Sequence, residues 1–95
     1  MEKIYKYLID NQDKYVHEQN LRIPYGSRII SCTEQRSLIA VYAAVNVSQP
    51  IEVDVYIPFR VVGTGVPIPE DNHEYTFLGT VKDGGLVWHV FYKKP

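Results

Sequence analysis

The segment from Ile51 to Val61 constrains this chain more than any other. Its odd positions, Ile51, Val53, Val55, Ile57, Phe59 and Val61, are all apolar, while its even positions begin Glu52, Asp54, Tyr56, Pro58 and Arg60. Alternation with period two sends one set of side chains inward and the other toward water, which a strand does and a helix does not. Pro58 has no N–H to give to a ladder, so this strand is expected at a sheet edge or bent at a bulge. No window at helical spacing competes with it. Eight Tyr, three Phe and one Trp, with many Val and Ile, suit the same pleated, half-buried surface.

The remaining segments follow suit. Leu38 to Val47 alternates Ile39, Val41, Ala43, Val45 and Val47 against Leu38, Ala40, Tyr42, Ala44 and Asn46. Both sets are largely apolar, the pattern of a central strand or an interface. Glu74 to Tyr92 reads as a hairpin turning at Asp83-Gly84, a dipeptide suited to tight turns. Counting outward pairs Val81 with Leu86, Gly79 with Trp88, Phe77 with Val90 and Tyr75 with Tyr92 on the core face, with Gly79 making room for the indole. The other face pairs Thr80 with Val87, Leu78 with His89 and Thr76 with Phe91. It is only half polar, so a second layer or another subunit is expected to cover part of it, and Leu78, Val87, His89 and Phe91 are candidate interface residues. Ile4 to Ile9, Tyr15 to Ile23 and Arg28 to Glu34 complete the strands. Asp10 to Lys14 is a polar connection, and Gly63 to Asn72 a long loop. The expectation is a single all-β domain over residues 1–95, a small, mainly antiparallel sandwich or partly open barrel of six or seven strands. So small a core, with apolar faces left over, points to a homo-oligomer.

Several function classes drop away. A lone Cys32 allows no internal disulfide and no cysteine-built zinc site. Formal net charge is −1, so nucleic acid is not an expected partner, although Tyr5-Lys6-Tyr7 and Phe91-Tyr92-Lys93-Lys94 interleave rings with cations. No apolar run approaches a membrane span and no signal-peptide stretch opens the chain, so a cytoplasmic protein without membrane contact is expected. Phosphate-loop, zinc-protease and serine-elbow spacings are absent, and His17, His73 and His89 have no ligand partner at local metal spacing. No metal, cofactor or catalytic activity is expected. Cys32 reads as an inert strand residue, and Glu52 with Asp54 as a solvated strand face rather than a proton-sharing pair.

One segment is more suggestive. In Arg60-Val61-Val62-Gly63-Thr64-Gly65, glycines around a threonine permit an amide nest for an anion, with Arg60 supplying charge and Thr64 a hydroxyl. The plainer reading, and the weightier, is a bulge and exit turn after the strand. His89 reads either as a binding or interface residue or as a histidine held by a neighbouring carbonyl. The candidate ligand site is therefore Arg60, Gly63, Thr64, Gly65 and His89.

These segments together resemble a family. Ile4-Tyr5-Lys6-Tyr7, Ile23-Pro24-Tyr25-Gly26-Ser27-Arg28-Ile29-Ile30-Ser31, Arg60 to Ile68 with its Gly-Thr-Gly, and Phe77-Leu78-Gly79-Thr80 with Gly84-Gly85-Leu86-Val87-Trp88-His89-Val90-Phe91 are similar to a family of small uncharacterised proteins of tailed bacteriophages and prophages. Val66 departs from the polar residue usual there, and the connection from Asp10 to Gln19 is longer. The resemblance implies a phage context and no particular activity. By analogy with small phage proteins that block host defences, the expected function is a non-enzymatic binding protein. It would sequester a small anionic, nucleotide-like ligand or block a host protein. The rival is a structural or accessory virion component.

Overall fold

A computed structural model of the chain describes residues 1–10, 15–48 and 53–94. Its strands are β1 (Glu2–Ile9), β2 (Val16–Pro24), β3 (Arg28–Gln35), β4 (Leu38–Asn46), β5 (Asp54–Gly63), β6 (Thr76–Asp83) and β7 (Leu86–Tyr92), with a short 3-10 turn at Glu70–Glu74. They form two antiparallel sheets, β1-β4-β3 and β2-β5-β7-β6. The sheets do not close into a barrel, and the sandwich of the two expected architectures is the one adopted.

Alternation decides what lies between the layers. Ile9, Ile39 and Val41 come from the three-stranded sheet, and Leu21, Ile23, Ile57, Phe59, Val61, Val81, Trp88 and Val90 from the other. Phe59, Val41, Val61 and Val90 are 1% exposed or less. β4 is the central strand its two-sided apolarity requires. Even Ala40, on its outer face opposite Leu8 and Thr33, is fully buried.

Pro58 is placed differently from expectation. β5 is flanked on both sides, by β2 and β7. Lys93 N–H donates to the Pro58 carbonyl at 2.9 Å, one step beyond Tyr92, the last residue of β7. A residue of an antiparallel strand sends its N and O the same way, so the missing N–H of Pro58 points to the place where β7 stops. The β2 ladder loses nothing. Ile51 and Glu52 lie outside the described residues; Asp54 is ion-paired with Arg22 at 3.1 Å.

The hairpin keeps its faces but shifts its partners by two residues. Asp83 pairs with Leu86, Val81 with Trp88 and Gly79 with Val90, so the two-residue turn is Gly84-Gly85, with Gly84 at φ +62°. A shift of two preserves which side chains face inward, and Trp88 is buried as expected. The room for the indole comes from Gly63, where a Cβ would sit 3.0 Å from Trp88 Cζ3; Gly79 instead accommodates Cys32 Sγ, 3.1 Å from where its Cβ would be. A bulge between Phe77 and Gly79 reverses the rest of β6. Leu78, expected outside, packs against the core, and Phe77, expected inside, is exposed.

The β3–β4 turn was not signalled by sequence. Arg36 and Ser37 both take positive φ, +50° and +66°, in a two-residue loop closed by Gln35 and Leu38. That backbone strains ordinary residues and suits Asn-Gly. Replacing Arg36-Ser37 with Asn-Gly should stabilise the fold by about 1 kcal/mol, read as a higher midpoint in urea at unchanged slope.

Candidate functional site

The outer face of the four-stranded sheet is built from the even positions of β5 and the odd positions of β7. Asp54 and Tyr56, early in β5, face water as the alternation requires. Arg60 and Val62, later in the same set, are 4% and 2% exposed. The cover is the segment 64–75, which doubles back across this face after β5.

Gly63-Thr64-Gly65 makes that reversal. Val66 N–H donates to the Gly63 carbonyl at 3.1 Å, and Gly65 takes φ +88° at the third position of the turn, the geometry of a type II turn. Gly63 N–H donates to the Tyr15 carbonyl and Thr64 N–H to the Val87 carbonyl, each at 3.0 Å. Three of the amides that an anion nest would use are therefore committed. Each glycine has a structural reason: Gly63 for the indole, Gly65 for its backbone angle.

Arg60 fastens the covering segment. Its Nε donates to Glu18 Oε2 at 2.7 Å, and its Nη1 to Asp71 Oδ1 at 2.8 Å and Asn72 Oδ1 at 3.4 Å. The guanidinium carbon lies 4.2 Å from the centroid of the Tyr75 ring. Desolvation acts to lower the pKa of Arg60, but its hydrogen bonds to Asp71 and Glu18 outweigh it and the net shift is upward. The same bond holds the carboxyl of Asp71 below the usual carboxylate range. Lys93 adds an ion pair to Glu74 at 2.9 Å.

His89 stands beside the turn. Its Nε2 lies 2.8 Å from Thr64 Oγ1 and its Nδ1 3.1 Å from Thr80 Oγ1. Each hydroxyl can donate or accept, so the pair satisfies both ring nitrogens in either tautomer. The partners are side chains, not the backbone carbonyl of the plainer expectation. Around this contact Val62, Gly63, Thr64, Gly65, Val66, Ile68, His89 and Phe91 line a shallow pocket of about 190 Å³. Phe91 leads from it to Phe77, the rings edge to face at 5.5 Å. Phe77 and Ile68 are 56% and 61% exposed.

Four of the five expected ligand-site residues, Gly63, Thr64, Gly65 and His89, thus meet at one place, and Arg60 does not join them. Of the four expected interface residues, Val87, His89 and Phe91 lie on the outer face and Leu78 does not. Sequence reasoning missed Phe77, because the bulge that turns it outward has no residue signature, and Tyr75, which had been assigned to the core face. The histidines are engaged separately: His17 Nε2 lies 3.2 Å from Gln19 Oε1, and His73 Nδ1 3.1 Å from the Glu70 carbonyl. Among the described residues no group of His, Cys, Asp or Glu is placed to hold a metal ion. Burial pushes the Cys32 thiol up to about 11, the opposite of activation. No helix among the described residues is long and apolar enough to cross a membrane.

A family model described as a domain of unknown function, DUF7352, matches residues 1–95. The chain belongs to the DUF7352 family. The match takes in both sheets, the covering segment and the His89 pocket together, so the DUF7352 unit includes every element that shapes this face. No curated protein and no solved structure matches significantly.

Proposed function

We propose that this DUF7352 chain is a phage-type, non-enzymatic binding protein. It acts in the cytoplasm of an infected host by covering a host protein with the outer face of the four-stranded sheet. One observation carries the reading: exposed Phe77 and Ile68 flank Phe91 and the His89 pocket on a single continuous face. An exposed aromatic and an exposed aliphatic side chain beside a small depression suit a protein contact. Capture of a small anion is the weaker form of the idea. It would need a free cation and free amides at the pocket, and Arg60 and the amides of Gly63, Thr64 and Val66 are engaged. The phage origin rests on the resemblance of the Gly-Thr-Gly and Trp-His-Val-Phe segments.

The immobilised protein should retain a specific host protein from a cell lysate. Phe77→Asp should cut that retention roughly tenfold or more while leaving the melting temperature near that of the parent, because the ring is mostly exposed. Retention indifferent to Phe77→Asp, or no retained protein, would remove this face from the function. Stabilisation by cyclic nucleotides would move the reading to a small ligand, and recovery of the chain from purified virions would move it to a structural role.

A further inference from the structure

We infer that two copies of this chain join through β1, edge to edge, to make one continuous six-stranded sheet. This contact uses a different part of the molecule from the proposed host-protein face.

β1 pairs with β4 alone and runs eight residues without a bulge or a proline. Such an edge is a template for another strand, and proteins that do not use one usually disrupt it. The other edges here are disrupted. β3 is bulged at Ile30 and β6 at Leu78, and those two strands lie against each other. β2 is polar along most of its length and ends on Pro24. β1 carries charges too, Glu2, Lys3 and Lys6, but it is unbulged and its apolar Ile4, Tyr5 and Leu8 are 64%, 43% and 42% exposed.

The hydrogen-bond phase shows which backbone groups are available. Val47 N–H donates to the Met1 carbonyl at 3.0 Å, in step with the β1–β4 register. Odd residues of β1 therefore bond to β4, and Glu2, Ile4, Lys6 and Leu8 aim N–H and C=O away from it. The Leu8 carbonyl agrees, accepting from Gln19 Nε2 on the far side at 3.3 Å. Glu2, Ile4 and Lys6 remain, without a backbone ladder partner on that side among the described residues.

One antiparallel self-pairing uses only those three. Centred on Ile4, it sets Ile4 opposite Ile4 of the second copy and Glu2 opposite Lys6 in both directions, with about six backbone hydrogen bonds. On the other face Lys3 meets Tyr5, a cation beside a ring. A register centred on Tyr5 or on Lys6 needs the Leu8 carbonyl that Gln19 holds, and opposes Lys6 to Ile4 or to itself. Free backbone groups select this register, and its charges agree with it: the Glu2 carboxylate, held within the protomer by Arg28 Nη2 at 2.8 Å in an exposed ion pair, would gain Lys6 of the second copy as a further cation. The contact is self-complementary about a twofold axis, so it closes at two copies instead of growing a fibre.

Sedimentation equilibrium on the full chain should show a monomer–dimer equilibrium. Lys6→Glu sets Glu against Glu2 twice by symmetry and should weaken the dimer roughly tenfold or more, and adding Glu2→Lys should restore it to within about threefold. Ile4→Pro removes an N–H that points away from β4, so the fold should persist, by far-UV circular dichroism, while the dimer is lost. A chain monomeric at all concentrations, a dimer indifferent to Lys6→Glu, or a double variant no better than the single would each overturn the inference. Phe77→Asp should leave this equilibrium unchanged, and Lys6→Glu should leave capture of a host protein unchanged, so the two proposals fail separately.

Discussion

Replacing Trp88 with alanine should cost about 3–5 kcal/mol of stability, one of the two largest effects expected of a side-chain change in this domain. The indole is 6% exposed and belongs to the central cluster. It stands between Val81 of β6 and Gly63 of β5, ladder partners on either side. Strands fixed by hydrogen bonds on both flanks cannot close over the vacated volume, so the penalty should lie toward the upper end of that range. For a domain of this size each kcal/mol is worth about 4–8 °C, so the midpoint should fall by about 12–40 °C. A second substitution tests the contact itself. Gly63→Ala places a Cβ 3.0 Å from Trp88 Cζ3 and should cost about 1–3 kcal/mol in the parent by overpacking, but much less once the ring is gone. Additive effects of the two changes in urea unfolding, or a Trp88→Ala midpoint near that of the parent, would show the indole to be packed elsewhere.

The same tryptophan shows how much of the fold was legible. Period-two alternation found the strands because burial on one face is a property of residue type along the chain. The inward direction of Trp88 followed once the turn was placed to within an even number of residues. Its neighbours did not follow. Which glycine lies under the indole depends on which strand is β7's other partner, and pairing between distant strands leaves no local mark. Pro58 makes the same point. The lack of a donor was plain in the sequence, but an edge was only one way to accommodate it, and a neighbour that stops one residue short is another. The bulge at Leu78 is the clearest failure. One unpaired residue exchanged the faces of Leu78 and Phe77, and with them the membership of the exposed surface.

The pocket was partly legible for a different reason. Gly63, Thr64, Gly65 and His89 are near one another because the turn follows β5 directly and His89 is the ladder partner of Val62. Arg60 was drawn into that group by closeness in sequence. In the structure it faces the acidic first turn of Glu70–Glu74, whose return across the sheet is a tertiary event. A cation that reads as bait for a ligand is instead internally neutralised.

That reassignment carries the other large expected effect. Removing both carboxylate partners, Glu18→Ala with Asp71→Ala, leaves the guanidinium of the buried Arg60 side chain with Asn72 and the Tyr75 ring alone. A guanidinium shielded from water and stripped of both carboxylates should destabilise the fold clearly, read as a lower melting temperature, though less than in a fully enclosed pair. Arg60→Met should cost less, because methionine can fill the space under Tyr75 while the carboxylates of Glu18 and Asp71, 55% and 53% exposed, return to water. An anion-binding arginine would give the reverse order: the double alanine variant would stay stable and gain affinity for phosphate, and Arg60→Met would lose it. Acid should act in the same direction as the double substitution. The folded-state pKa of Asp71 is depressed by its bond to Arg60, so its contribution is present above the unfolded value and is lost as pH falls through the folded one. Below the ordinary carboxylate range the covering segment should therefore loosen first, seen as faster amide exchange at 64–75 while the β4 amides stay protected. Uniform exchange across both would mean that the Arg60 clasp does not hold that segment down.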